Sequence, residues 1–236
     1  MAKRGAGAYM SVGEQSAGIT FFLIYLFVLP FATAPIFRFV GQVTGKELSA
    51  AMRDMIDYYV LFAASLVIFH GYLARTTRKL GENFAESLKT LIIGLVALYG
   101  LNELVYRLTH ALVNNRTNLN DVSISAQIHT APRMTLLIVI FLAPFVEEVL
   151  FRGLVFGNLK SHSRILAYTV SCLLFALIHV WQFAVEKRDV TYFWLMVQYL
   201  VPGLVLAWTY DRSETLWTSI GLHAAVNALS AWSLWR

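Results

Sequence analysis

Long apolar runs separated by short polar links occupy nearly the whole chain. A membrane-spanning helix needs about 20 predominantly apolar residues. Seven runs meet that length: about 17–37, 56–74, 88–110, 134–157, 164–185, 190–210 and 214–235. The alternation of apolar and polar positions that marks a membrane β-barrel is absent. The pattern therefore predicts an all-α polytopic transmembrane bundle of about seven spans. The longest polar stretch, Asn114 to Gln127, reads as a loop between the third and fourth spans. Thr44 with Glu47 and Asn83 with Glu86 have the N-cap and N3 spacing of helix starts. Residues 45–55 read as a short interfacial helix leading into the second span. Pro202-Gly203 reads as a packing bend in the sixth.

Composition supports the membrane class. Only 14% of residues are charged and 58% are hydrophobic, with mean hydropathy +0.60, whereas a soluble domain is about 25% charged. The net charge of +5 is dispersed between apolar runs, where it suits lipid headgroups. No basic stripe interleaves with aromatics, so a nucleic-acid partner is not expected. The basic residues divide evenly between the two sides of a seven-span bundle, so they give no orientation. Ala32-Thr33-Ala34 resembles a signal-peptidase site, but Pro35 follows it and the apolar run continues, so a retained first span is expected. The whole chain, 1–236, reads as one multi-pass integral-membrane domain of a plasma or cytoplasmic membrane. The single cysteine, Cys172, lies in an apolar run and reads as a small packing residue.

Three apolar runs carry polar groups that a plain anchor would not need. From Met134 to Phe156 the charged residues are Glu147, Glu148 and Arg152, and each charge in a bilayer interior costs about 2.5–3.5 kcal/mol on insertion scales. Glu148 and Arg152 are four apart and can pair on one helical face. A buried ion pair that only fixes packing would account for those two and leave Glu147 over. In the fifth run Ala167, Ser171, Phe175 and His179 recur every four residues on one face, and Gln182 lies a turn further. In the last run His223 and Asn227 share a face, and both can donate hydrogen bonds to an oxyanion. Taken singly, each histidine reads as well as a packing or interhelical contact. Together, inward-facing polar groups on separate spans are expected to converge, because exposure to lipid is expensive. One carboxylate, two imidazoles and a carboxamide are sufficient for hydrolysis: a carboxylate–imidazole pair deprotonates water, and the remaining groups stabilise the oxyanion. Outside this set, Glu103 with Arg107 reads as an interfacial ion pair, His70 and His110 as interfacial or packing residues, and most tryptophans as interfacial belts.

Glu-Glu-Val-Leu-Phe-Arg at 147–152, Phe-Ala-Leu-Ile-His at 175–179 and His-Ala-Ala-Val-Asn at 223–227 resemble the three motifs of the CAAX-protease and bacteriocin-processing (CPBP, or Abi) family. The resemblance covers about 134–230, the expected core of the domain, with the motifs in matching order. It implies an intramembrane endopeptidase similar to the enzymes that trim prenylated CAAX proteins, acting on a membrane-associated peptide or protein. By motif position, Glu147 and His179 would activate water, and His223 and Asn227 would form the oxyanion site. Glu148 and Arg152 would support them. No cofactor is the favoured expectation, in keeping with a glutamate mechanism. The His-Glu-x-x-His helix of zinc proteases is missing, although Glu147, His179 and His223 could assemble a two-histidine, one-carboxylate zinc site. Two other classes remain open on the sequence: a non-catalytic membrane scaffold or immunity factor of the same fold, and a proton-coupled transporter. No inverted hydropathy repeat supports the transporter.

Overall fold

The computed structural model describes residues 9–112 and 118–235. They are helical almost throughout, with no strand among the described residues. In chain order the helices are α1 (Val12–Thr44), α2 (Ala50–Ile68), α3 (His70–Glu82), α4 (Phe84–Leu112), α5 (Leu119–Thr130), α6 (Pro132–Lys160), α7 (Arg164–Ile178), α8 (Trp181–Lys187), α9 (Val190–Ser213) and α10 (Leu216–Trp235). The protein is a multi-pass helical membrane bundle. Four helices, α1, α4, α6 and α9, are long and apolar enough to cross a membrane, and six crossings result if α2 with α3 and α7 with α8 each form one bent span. The seventh expected span, α10, is fully helical but carries Thr218, Ser219, His223, Asn227 and Ser230, which lower its hydropathy.

Two local expectations are corrected. Residues 45–55 do not form a separate helix. Gly45, at φ 68°, ends α1, and the true N-cap of α2 is Ser49, whose hydroxyl accepts from the Met52 amide. Thr44 is the last residue of α1 and spends its hydroxyl on the Val40 carbonyl at 2.8 Å. The polar stretch 114–127 is not a loop throughout, because α5 begins at Leu119. Asn118 caps it by accepting from the Asn120 amide at 3.0 Å. Ile128 is buried, and Gln127 reaches Asp54 of α2 at 3.2 Å. Residues 113–117, Lys3 and Arg4 lie outside the described residues, as does the side chain of His110.

The second span is broken at Phe69, where α2 and α3 meet at 80°. Such a break leaves the first amides of α3 without partners. Glu14 of α1 supplies one: its Oε1 accepts from the Tyr72 amide, and its Oε2 pairs with Arg75. The same carboxylate closes a capping box with Ser11 at the start of α1. The N-terminus of α10 is held in a similar way, since the Leu216 amide donates to Thr76 Oγ1 of α3 at 2.6 Å. These two helix starts are thus satisfied by side chains from other helices. This is necessary where water is not at hand.

The centre of the bundle is α6. It packs against α1, α2, α7 and α10, and α9 packs between α4 and α7. Val146, Val149, Leu150, Phe151 and Phe156 are wholly buried. Phe151 meets Phe22 and Phe175 edge-on with centroids 5.4 and 5.5 Å away. Between helices in lipid such close packing, rather than escape from water, drives association. Gly203 of α9 belongs to it: a Cβ there would lie 3.4 Å from Cys172 Cα, so the expected Pro202-Gly203 bend is a site of close α7–α9 approach. Cys172 is buried as a packing residue.

Candidate active site

Helix α6 is not a uniform α-helix. Residues Ile138–Leu142 and Val149–Phe156 are π-helical and flank the α-helical stretch Ala143–Glu148 that carries both glutamates. Wide turns of this kind frequently accompany functional sites. In the first one the Ala143 amide bonds to the Ile138 carbonyl. The next donor in that register is residue 144, which would serve Val139, but Pro144 has no N–H. Asn227 of α10 fills the gap: its Nδ2 donates to the Val139 carbonyl at 2.9 Å. One amide hydrogen of Asn227 therefore locks α10 against α6.

Glu148 and Arg152 are both completely buried, and Arg152 Nη1 lies 3.0 Å from Glu148 Oε1. The guanidinium also donates from Nη2 to the Gly203 carbonyl of α9 at 3.1 Å and stands 4.3 Å over the Phe175 ring of α7. It thereby ties three helices. Besides this ion pair, Glu148 Oε1 accepts a hydrogen bond from His223 Nδ1 at 2.9 Å. A carboxylate only accepts, so Nδ1 carries the proton, and the Nε2 lone pair of neutral His223 points away from Glu148.

His179 caps the C-terminal end of α7, where carbonyls lack helical partners. Its Nδ1 donates to the Phe175 carbonyl at 2.7 Å. The ring stacks on Tyr199 of α9, with centroids 4.4 Å apart and planes at 22°. Again the Nε2 lone pair is left free. Both free nitrogens face one atom: Glu147 Oε2 is 3.9 Å from His179 Nε2 and 3.9 Å from His223 Nε2. Glu147 is buried, and Oε2 has no hydrogen-bond partner among the described residues.

The structure thus brings Glu147, Glu148, Arg152, His179, His223 and Asn227 together from α6, the end of α7, and α10. Glu147, His179, His223, Asn227 and Gln182 line one cavity of about 600 Å³. Tyr199, Tyr25 and Tyr58 line the same cavity and are not expected from the sequence. Aromatic residues in apolar spans give no sequence signal that separates cavity lining from packing. Residues expected to lie outside the site do so: Glu103 and Arg107 form an exposed ion pair at 2.7 Å, and His70 is exposed at the helix break. Trp217 departs from the belt expectation, donating to Thr77 Oγ1 and packing on Phe145.

The donor set of two imidazoles and a carboxylate is chemically suited to zinc. Tetrahedral ligands at about 2.0–2.1 Å from the metal lie roughly 3.3 Å from one another. The two nitrogen–oxygen separations here are both 3.9 Å, and no group of three His, Cys, Asp or Glu among the described residues has metal-holding geometry. Both nitrogen–oxygen separations are wider than that tetrahedral spacing.

Residues 129–229 match the family model described as type II CAAX prenyl endopeptidase Rce1-like. The match covers less than half of the chain, and over that segment the chain is similar to this family. The match contains all three motifs and runs from the end of α5 into α10. Among curated proteins, UPF0177 protein YxdF of Lactococcus lactis subsp. lactis is 28% identical over 86 residues, which cover 36% of this chain and 42% of that protein. The chain thus matches less than half the length of this relative. No solved structure matches the chain. The matched segment supplies every residue of the cluster around Glu147, while Tyr25 and Tyr58 come from helices before it.

Proposed function

We propose that the protein is an intramembrane endopeptidase that hydrolyses peptide bonds of membrane-presented, CAAX-type substrates without a metal. The observation that carries this reading is Glu147 Oε2: buried, unpartnered, and equidistant at 3.9 Å from two imidazole nitrogens whose rings are each fixed at Nδ1. A water oxygen at about 2.8 Å from such atoms bridges separations of this size. Glu147 accepts a proton from that water as its oxygen attacks the scissile carbonyl carbon, with His179 Nε2 orienting the second O–H. Collapse of the tetrahedral intermediate breaks the C–N bond, and the proton held by Glu147 passes to the leaving amine.

The oxyanion role of His223 requires a proton on Nε2. Glu148 supports it, since a carboxylate on Nδ1–H stabilises the imidazolium, and Arg152 holds Glu148 in place. Asn227 retains a second amide hydrogen beside the one given to Val139. The match to the Rce1-like family supports peptide-bond hydrolysis as the chemistry and a membrane-associated peptide as the substrate. The test is cleavage of a prenylated CAAX-type reporter by purified protein in liposomes, with products identified by mass spectrometry. Wild type should cut at one bond with or without a chelator, and His179→Ala should not. Activity that a chelator abolishes and zinc restores would overturn the metal-free assignment.

A further inference from the structure

The cavity that contains Glu147 is acidic from floor to rim. Asp54, Asp57, Asp121 and Glu147 line it, and no lysine or arginine does so among the described residues. The remaining polar lining is amide-rich, with Asn102, Asn118, Asn120, Gln127, Gln182 and Gln198. Asp54 and Asp57 are three apart on one face of α2. Across from them on α5 stands Gln127, which donates to Asp54 at 3.2 Å. Asp121 is exposed and both α2 aspartates are half-buried, whereas Glu147 is buried. The first three therefore form a rim and Glu147 the floor. Tyr58 stands within electrostatic reach of Glu147, Asp54 and Asp57, and Tyr199 within reach of Asp121 and Glu147, so rim and floor act on the same space. Arg53 acts on Asp54 and Asp57 but does not line the cavity.

None of the rim carboxylates has a lysine or arginine within ion-pair distance among the described residues. Several acids elsewhere among the described residues are paired: Glu14 with Arg75, Glu148 with Arg152, Asp211 with Lys160 and Arg164, and Glu86 with Arg212. Carboxylates that line a low-dielectric cleft with no cationic side chain in the same lining focus a negative potential in it and draw in cations. The unpartnered Glu147 Oε2 at the floor adds to that potential and points to a ligand that reaches it. Building on the peptidase reading, we infer that the cavity selects peptides carrying an ammonium or guanidinium group next to the scissile bond. That group occupies the rim between α2 and α5 while the carbonyl reaches Glu147. A free carboxylate in the same place is repelled.

The test separates selection from catalysis by measuring binding. Fluorescent peptides that share one apolar sequence and carry lysine, norleucine or glutamate at a flanking position are titrated into the Glu147→Gln protein in detergent. Each is made with a free and with an acetylated amino terminus, which distinguishes a side-chain ammonium from a terminal one. The lysine peptide should bind about tenfold more tightly than the norleucine peptide and the glutamate peptide more weakly than both. The lysine preference should shrink as salt is raised. Asp54→Asn, Asp57→Asn and Asp121→Asn, combined, should bring the lysine-to-norleucine ratio close to one. If the combined variant does not fold, the salt series on the protein with its rim intact tests the same selection. Equal affinities for the three peptides, or a lysine preference that survives both salt and the three substitutions, would overturn the inference. A lysine preference in a protein whose wild type cleaves nothing would sustain the rim and sink the peptidase reading.

Discussion

His223 Nδ1 lies 2.9 Å from Glu148 Oε1, which joins α10 to α6 through residues 75 positions apart. The oxygen that holds His223 also holds Arg152 at 3.0 Å. The acidic pair is therefore divided: Glu148 is engaged at Oε1 and does not line the cavity, while Glu147 lines it with Oε2 unpartnered.

Removing one partner of a wholly buried ion pair leaves the other charge uncompensated, at a cost of about 3–5 kcal/mol. Glu148→Gln and Arg152→Ala should each lower stability by roughly that amount. Combined, they should lose much less than the sum. Unfolding in mixed detergent micelles for the two single variants and the double variant measures the coupling. Additive losses would mean that the pair does not act as a unit.

Asn227 bonds to the Val139 carbonyl, and the proposed mechanism gives it a second, separable role as oxyanion donor. Asn227→Ala leaves the Val139 carbonyl without its donor, a loss of about 1–3 kcal/mol for a buried unsatisfied group. Pro144→Ala in the same background restores a backbone N–H to the α6 turn and should recover part of that stability. It should not recover cleavage, because the oxyanion donor remains missing. Recovery of both would make Asn227 purely structural.

Much of this architecture is legible in the sequence, and its limits have physical causes. The apolar runs locate the helices, and the four-residue spacing of Glu148 and Arg152 gives their ion pair directly, because both partners lie on one helix. The His223–Glu148 bond depends on the rotation of α10 against α6, which no local spacing encodes. The helix α5 is hidden because polar side chains fill it, and it is held by the Asn118 cap, by packing on α10 and by the Gln127–Asp54 hydrogen bond rather than by an apolar stripe. Thr44 reads as a helix start by residue type, yet Gly45 in the left-handed region makes it an end. The break at Phe69 depends on Glu14, 58 residues away from the Tyr72 amide that it caps.

That long-range cap is itself testable. Glu14→Ala removes an acceptor from the first turn of α3 and a partner from Arg75. The expected loss is about 1–3 kcal/mol. Glu14→Gln keeps an acceptor for the Tyr72 amide and should lose less. Thermal unfolding of the two variants ranks them, and equal losses would assign the contribution to the ion pair rather than the cap.

Tyr199 positions His179 through its ring, stacked at 4.4 Å, while its hydroxyl bonds to Asn118 at the start of α5. Tyr199→Phe keeps the stack and should retain most activity. Tyr199→Ala frees the imidazole and should lower kcat by about 10–100-fold, the scale of a misplaced catalytic group. Steady-state kinetics on one reporter peptide decide the point, and a loss confined to KM would assign Tyr199 to substrate contact instead.

The free oxygen of Glu147, held 3.9 Å from both His179 and His223, is assigned as the base that activates water, and the rest of the mechanism depends on it. Its most direct test is the single-turnover cleavage rate of Glu147→Gln against wild type in liposomes, with matched unfolding midpoints. General-base roles contribute about 10²–10⁴-fold, so a fall of at least two orders of magnitude is expected. Cleavage at the wild-type rate by the folded variant would contradict the assignment.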